Sequence, residues 1–406
     1  MGVSHTPQQI GRKPYAPTNN NMKIKTLLIA ALILSAYACS PRGDGTVSIV
    51  DVNGTEVFVM SLGNLRSDVA TIPLSSLVES LEMVQLEDHD DAFFTSRAIT
   101  TVTENYIGIR EERRSYLLFS RSGQFLGNIG SVGQGPGEFI SLRDEFIDDK
   151  NGLIYLADIT RDRVLVYNTS GEFVREIVTP VRLNKPRIFV SDNVLSIFHL
   201  SFGENSPMAF QIDINTGQPL SQIGTPAHFV VHSFDSEIFN TRNVEGVFDF
   251  THTSVDTMFH FDMENNRIRP VFTMTGTEGT WRNNFQINRD LIMTYVNVFD
   301  DNIRRWVLRG IVATDLRNLT SSYVNIVNDF FGNLPVAAMG TFRNGYFVWN
   351  VQPEDLMYQI ENHLDRGNVS QSDRQQLENL LSRLEEDTNN VVFIGRLRDG
   401  IEGRLW

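Results

Sequence analysis

The chain has 406 residues, is 41% hydrophobic and 10% aromatic, and carries a formal net charge of −14. That composition supports a packed core and excludes a chain that is mostly disordered. The first 39 residues hold Arg12, Lys13, Lys23 and Lys25 and no acid, so the remainder sets 31 basic against 49 acidic residues, net −18; a body this acidic repels phosphate backbones and speaks against nucleic acid as a partner.

Residues 1–21 are polar and without pattern, and read as a spurious extension upstream of Met22. From Met22 to Ser40 the chain reads MKIKTLLIAALILSAYACS. Lys23 and Lys25 supply a positive region, 27–34 an apolar run too short to stay in a bilayer as a helix, and Ala36 and Ala38 small residues before Cys39. Residues 22–38 thus resemble a bacterial lipoprotein signal, with Ala36 departing from the leucine usual three places before the lipidated cysteine. Cys39 is the sole cysteine, which excludes an intramolecular disulfide and a Cys-based zinc site and fits a role as lipid acceptor. Acyl chains contribute about 0.8 kcal/mol per buried methylene, so two on Cys39 would anchor the protein stably. Ser40 does not resemble an inner-membrane retention signal. The expectation is an outer-membrane lipoprotein, periplasmic or cell-surface, touching membrane through Cys39 alone, with 39–70 as a partly ordered tether and a folded body over 71–406.

Within that body four stretches repeat: 116–130 (YLLFSRSGQFLGNIG), 164–178 (VLVYNTSGEFVREIV), 210–224 (FQIDINTGQPLSQIG) and 259–274 (FHFDMENNRIRPVFTM). Each is an alternating strand, a tight polar turn and a second alternating strand. The turn glycines Gly123, Gly171 and Gly217 lie 48 and 46 residues apart, and Asn265-Asn266 follows at a similar step. A period of about 40–50 residues with four strands per unit is the signature of a β-propeller.

With strands a to d counted outward from the axis, blade 1 covers 97–103, 106–110, 116–120 and 125–129. Blade 2 covers 142–148, 153–158, 163–168 and 173–178. Blades 3 and 4 span about 187–224 and 232–274, and blade 5 is less regular, at 285–287, 291–299, 306–315 and 323–327. Blade 6 starts with 336–342 and 346–351, resumes at 391–397 and then runs out of chain. Its fourth strand is available at the other end, where 81–86 (LEMVQL) alternates ahead of blade 1. The predicted fold class is therefore all-β: a six-bladed β-propeller closed by an N-terminal strand, which removes free sheet edges.

Residues 135–177 open GPGEF and continue DDKNGLIYLADITRDRVLVYNTSGEFVREI, which resembles an NHL-type repeat. Together with the leader, the GQGPGEF after blade 1 and the blade count, this resembles the 6-bladed β-propeller lipoproteins of Bacteroides-type bacteria. The likeness is specific over blades 1 and 2 and fades over blades 3 to 5. It implies an envelope protein of a family without an assigned activity, and it implies that Asp158 and Arg163 tie strands together.

In such a ring the b–c loops and d-to-a connections share one face, and the a–b and c–d turns the other. The c–d turns are minimal, whereas 130–141, 224–232, 275–284 and 352–390 are long, which directs binding to the long-loop face. The last of these reads as two amphipathic helices, 353–364 with Pro353 at its first turn and 370–386 with a Ser370-x-x-Asp373 cap. They form a hairpin at about 353–387 inserted in blade 6, packing on the rim or flanking an axial pocket.

No nucleophile elbow, P-loop or H-E-x-x-H motif occurs. His228 and His232 lie in what reads as strand, His252 and His260 are a strand pair apart, and the 148–152 run lacks the later Glu of a calcium loop, so no metal and no cofactor is expected. No catalytic residue is assigned. Candidate ligand-binding groups on the long-loop face are Arg113, Arg143, Arg161, Arg187, His199, Trp281 and Arg282, because guanidinium forks and an indole suit a carboxylated glycan or a peptide terminus. The function expected is a binding scaffold for a glycan, a peptide or an envelope protein; the alternative is a propeller lyase or hydrolase with an axial metal or Arg/His site.

Overall fold

The computed structural model describes residues 43–253, 255–336, 342–366, 369–403 and 405–406. The leader over 22–38, Cys39, most of the first strand expected for blade 6 and part of the link between the helices lie outside the described residues.

The fold is a six-bladed propeller with the expected closure. Blade 1 comprises Ile99–Val102, Tyr106–Arg110, Tyr116–Ser120 and Phe125–Ile129. Blade 2 comprises Leu142–Asp148, Leu153–Asp158, Arg163–Asn168 and Phe173–Val178, and blade 3 Arg187–Ser191, Val194–Phe198, Pro207–Asp213 and Pro219–Gly224. Blade 6 orders Phe342–Arg343, Tyr346–Val351, Val391–Arg396 and then Glu82–Gln85 from the other end of the chain, antiparallel with Val392 opposite Val84.

Among the described residues six hydrophobic clusters hold the ring, one between each pair of neighbouring blades. Strands b and c are buried on both faces, and their alternation divides the side chains between two neighbours. Tyr116 and Leu118 face blade 2, while Leu117 and Phe119 pack with Val84, Val348 and Val392 of blade 6. The blade 1 turn locks the closing strand too: Glu87 N donates to Gly123 O at 2.9 Å, and a Cβ on Gly123 would stand 2.4 Å from Gln85 O.

Two segments depart from expectation. Blade 4 begins only at Ile238–Phe239 and continues with Phe248–His252, Thr257–Asp262 and Arg267–Thr275. Pro226 and the polar run around Ser233 and Asp235 keep 225–237 in a short 3-10 turn and loop instead of strand. The stretch expected to tether the body is instead part of it. Val47–Val52 and Thr55–Ser61 form a hairpin whose second strand adds in parallel to the outer strand of blade 4. Val69–Pro73 then adds in parallel to Thr320–Asn328, the outer strand of blade 5, whose other main strands are Thr280–Gln286, Leu291–Asp300 and Arg305–Asp315. Met60 and Ile72 become fully buried by this strap, which covers two edges before the chain completes blade 6.

The helical hairpin, α1 (Pro353–Asp365) and α2 (Gln371–Leu381), is inserted in blade 6 as expected, and Ser370 caps α2 by accepting from Asp373 N at 3.1 Å. Its apolar stripe packs on the connection between blades 5 and 6. A Cβ on Gly332 would meet Leu377 Cγ at 2.5 Å, so this backbone touches α2 directly. None of the hairpin residues lines the axial cavity.

If the strap belongs to the core, Met60→Ala should lower unfolding stability by about 2–5 kcal/mol, measured by urea titration. A cost within experimental error would return 47–61 to the status of a tether.

Candidate functional site at the propeller axis

The axis is lined by the strands a, and that of blade 2, with sequence LRDEFID, places three charges in succession. A β-bulge at Arg143 shifts its register, with Leu142 opposite Asp158 and Asp144 opposite Ala157. A bulge re-aims the side chains that follow it, and Asp144 and Glu145 both end within 1% of full burial.

These two carboxylates link five blades. Asp144 accepts from Ile188 N of blade 3 at 2.8 Å and from Arg343 Nη2 of blade 6 at 3.0 Å, and lies 3.6 Å from Arg242 Nη1 of blade 4. Glu145 accepts from Thr101 Oγ1 of blade 1 at 2.6 Å, pairs with Arg110 Nε of the same blade, and stands 3.3 Å from Arg343. Burial alone would raise the Glu145 pKa, but Arg110 and Arg343 overcome it and hold the carboxyl down at about 2. Toward the long-loop face, Glu237 gathers Arg143, Arg187 Nη2 at 3.1 Å and Lys185 Nζ at 3.4 Å. Burial lowers the Arg187 pKa to about 10, against the pull of Asp144 and Glu237, so it stays charged at neutral pH. Counting Arg110, Arg143, Lys185, Arg187, Arg242 and Arg343 against Asp144, Glu145 and Glu237, the axis is cationic within an acidic protein.

Arg242 reaches the axis because its backbone is left-handed, with φ 57°. Asp249 of blade 4 imposes this turn, accepting from Arg242 N at 2.7 Å, from Thr241 N and from Thr241 Oγ1 at 2.9 Å. A cavity of about 440 Å³ opens beside it on the a–b turn face, with Thr101, Glu145 and Arg242 among its buried lining and Glu104, Glu245 and Asp399 at its exposed rim. A second hollow of about 360 Å³ lies between blades 4 and 5 under the strap hairpin, lined by the exposed Arg267, Arg269 and Arg289.

Of the residues singled out from sequence, Arg143 and Arg187 converge at the axis through Glu237, and the others do not join them. Arg113 is exposed on the blade 1 b–c connection, 3.9 Å from Glu112. Arg161 donates to Gln134 O at 2.8 Å, and Arg282 pairs with Asp256 at 2.6 Å and donates to Thr277 O, tying blade 5 to a blade 4 loop. Trp281 is half-buried, its carbonyl 3.4 Å from Asn297 Nδ2. His199 is buried edge-on to Phe210, and burial lowers its pKa to about 4. Asp158 and Arg163 stand 3.5 Å apart within blade 2, where Arg163 also holds Glu138 O. Among the described residues no three His, Cys, Asp or Glu side chains come together as metal ligands, and no helix is long and apolar enough to cross a membrane. Asp144, Glu145, Glu237, Arg110, Arg242 and Arg343 are the axial groups that sequence reading missed; the signal within reach was the unbroken Arg143-Asp144-Glu145 run on an innermost strand.

The family model for a domain of unknown function, DUF4934, matches residues 57–396, and the chain belongs to that family. Its fold is similar to that of a Bacteroides fragilis protein named as an exported protein, with TM-score 0.55 and 16% identity over 84% of this chain and 99% of that one. A member of the DUF4221 family from Bacteroides vulgatus aligns over 79% of this chain and 97% of its own, with 12% identity and TM-score 0.46. No curated protein matches the sequence.

Two acid-sensitive groups follow from this geometry. His199 lies below its ordinary 6.5 in the fold, so its contribution is present above pH 6.5 and lost as pH falls toward about 4. Glu145 lies below its ordinary 4.5, so its contribution is present above 4.5 and lost as pH falls toward about 2. Urea midpoints should fall through both windows. Glu145→Gln should flatten the lower one while costing about 3–5 kcal/mol at neutral pH, since it leaves the largely covered Arg110 without its carboxylate partner. A lower limb unchanged by the substitution would contradict the pairing.

Proposed function

We propose that this protein is a lipid-anchored propeller of the bacterial envelope that works as a binding scaffold, engaging a glycan, a peptide or an envelope protein on its long-loop face. The observation that carries the reading is the surface around Lys185. Phe234 is 74% exposed, its ring centre lies 4.6 Å from that of Phe202 with the planes tilted by 35°, and Lys185 Nζ donates to Phe234 O and Ser236 O at 2.7 Å each. This aromatic pair therefore stands beside the Arg143–Glu237–Arg187 group. An exposed aromatic pair next to guanidinium groups suits a sugar ring bearing a carboxylate, or an aromatic-rich peptide terminus.

Binding is favoured over catalysis because Asp144 and Glu145 are saturated by arginines and backbone donors. Glu145, held ionised by Arg110 and Arg343, is a poor proton acceptor. The leader before Cys39 supports the anchor, and the fold shared with a protein named as exported agrees with an envelope location.

The test has two arms. In cells, Cys39→Ser should move the protein from the membrane to the soluble fraction. On arrays of acidic glycans and peptides, the anchor-free protein should bind, and Phe234→Ala should weaken that binding by about 1–3 kcal/mol without lowering the melting temperature. Equal binding by Phe234→Ala, or an unchanged distribution of Cys39→Ser, would overturn the corresponding part.

A further inference from the structure

The hollow under the strap hairpin concentrates unneutralised positive charge. Arg267 and Arg269 stand two residues apart on the outer strand of blade 4, so strand alternation sets both on the side that faces blade 5. Arg289, in the a–b turn of blade 5, reaches the same hollow from across the blade interface. All three side chains are exposed, and among the described residues none of their guanidinium groups makes an ion pair or a hydrogen bond. Asp262, opposite Arg267 in the strand pairing, instead accepts from Asn265 N at 3.1 Å and from Asn265 Nδ2 at 2.9 Å within its own turn. Glu56 of the strap is the one acid on the described lining. Three cations against one anion, in a chain of net charge −14, reverse the sign locally and attract anions.

Below the arginines the hollow is apolar. Met258 and Ile292 are buried at its floor, and Phe58 of the strap and Leu316 of blade 5 add apolar wall. His260 Nε2 lies 2.7 Å from Gln286 Oε1, a bond that ties blade 4 to blade 5 and fixes the inner wall. About 360 Å³ with cations at the opening and hydrocarbon beneath suits a small anion with an apolar remainder. Three guanidinium groups exceed what one carboxylate can pair, whereas a phosphate monoester brings nearly two charges and three acceptor oxygens.

The chain enters beside this hollow. A Cβ on Gly43 would stand 2.3 Å from Leu319 O, in the turn that also carries Leu316. Cys39 lies four residues before Gly43, a reach of at most about 14 Å. The lipid anchoring proposed above would therefore hold the hollow close to a membrane surface.

We propose that Arg267, Arg269 and Arg289 form the phosphate subsite of this hollow, which takes a phosphate monoester with an apolar remainder, as a membrane-lipid headgroup or as a free compound. The site lies on the face opposite the Phe202–Phe234 pair and stands independently of the scaffold reading; the lipid source alone rests on the anchoring of Cys39.

The experiment is isothermal titration of the anchor-free chain, in phosphate-free buffer, with octyl phosphate, inorganic phosphate and octanoate. Cosedimentation with phosphatidylcholine vesicles, with and without phosphatidic acid, accompanies it. Octyl phosphate should bind saturably and more tightly than inorganic phosphate, which lacks the chain, or octanoate, which lacks the phosphate. Arg269→Gln should weaken it roughly tenfold to hundredfold, the range expected for lost charged hydrogen bonds, with the melting temperature unchanged because the side chain is exposed. Glu56→Gln should strengthen it. Arg305→Gln, at an exposed position on the b–c side of blade 5, should leave it unchanged. Cosedimentation that requires phosphatidic acid and is lost in Arg269→Gln supports the site and assigns the lipid source. Octyl phosphate binding without cosedimentation supports the site and assigns a free compound. No saturable binding of octyl phosphate, equally tight binding of octanoate, unchanged affinity in Arg269→Gln, or an equal loss in Arg305→Gln would each overturn the proposal.

Discussion

The pairing of Glu82–Gln85 with Val391–Arg396 is the constraint on which the rest of the molecule depends. A propeller blade is a small sheet with two apolar faces, stable only when both are covered by neighbours. Six blades in a ring meet that condition everywhere, but only if the last blade is complete. The closing strand is short, so side chains and further backbone bonds around it reinforce the join: Asn389 Nδ2 donates to Glu87 O and Ala92 O, Asn389 N to Asp88 Oδ1, and Arg398 N to Leu77 O. Closure also converts residues more than 300 positions apart into neighbours, and so removes much of the conformational freedom of the segments it joins.

Once the ring is closed, six innermost strands converge, and their side chains must fill or satisfy the axis. Here that role falls to Asp144 and Glu145. Buried ion pairs cost desolvation that their attraction only partly offsets, so such a hub contributes less to stability than to fixing one arrangement of blades. Its arginines come from blades 1, 4 and 6, and a blade displaced by one register would leave a charge unpaired in the interior. The cationic surplus then accounts for the chemistry left over at the axis.

Much of this was legible in the residues. Apolar alternation and the evenly spaced Gly123, Gly171 and Gly217 located blades 1 to 3, and the surplus strand at 81–86 predicted the closure. The strap hairpin has a local signal: Asn53-Gly54 between alternating runs is a strong hairpin turn, and both residues have positive φ. Its parallel addition to blades 4 and 5 is a tertiary event that no local pattern encodes. The axial site was hidden for a different reason. The bulge at Arg143 reverses the alternation that sequence reading assumes, and the left-handed backbone of Arg242 depends on Asp249, seven residues on. Long loops drew attention to one face, while the axial cavity opens on the other.

Native-state hydrogen exchange across the closing sheet tests the central claim most directly. If the ring is one cooperative unit, the amides that pair Glu82–Gln85 with Val391–Arg396 should exchange only through global unfolding, with the same denaturant dependence as Ile154 and Leu165 in blade 2. Exchange of the closing strand through a separate low-energy opening, with blade 2 still protected, would contradict it and would show a propeller that stands without its clasp.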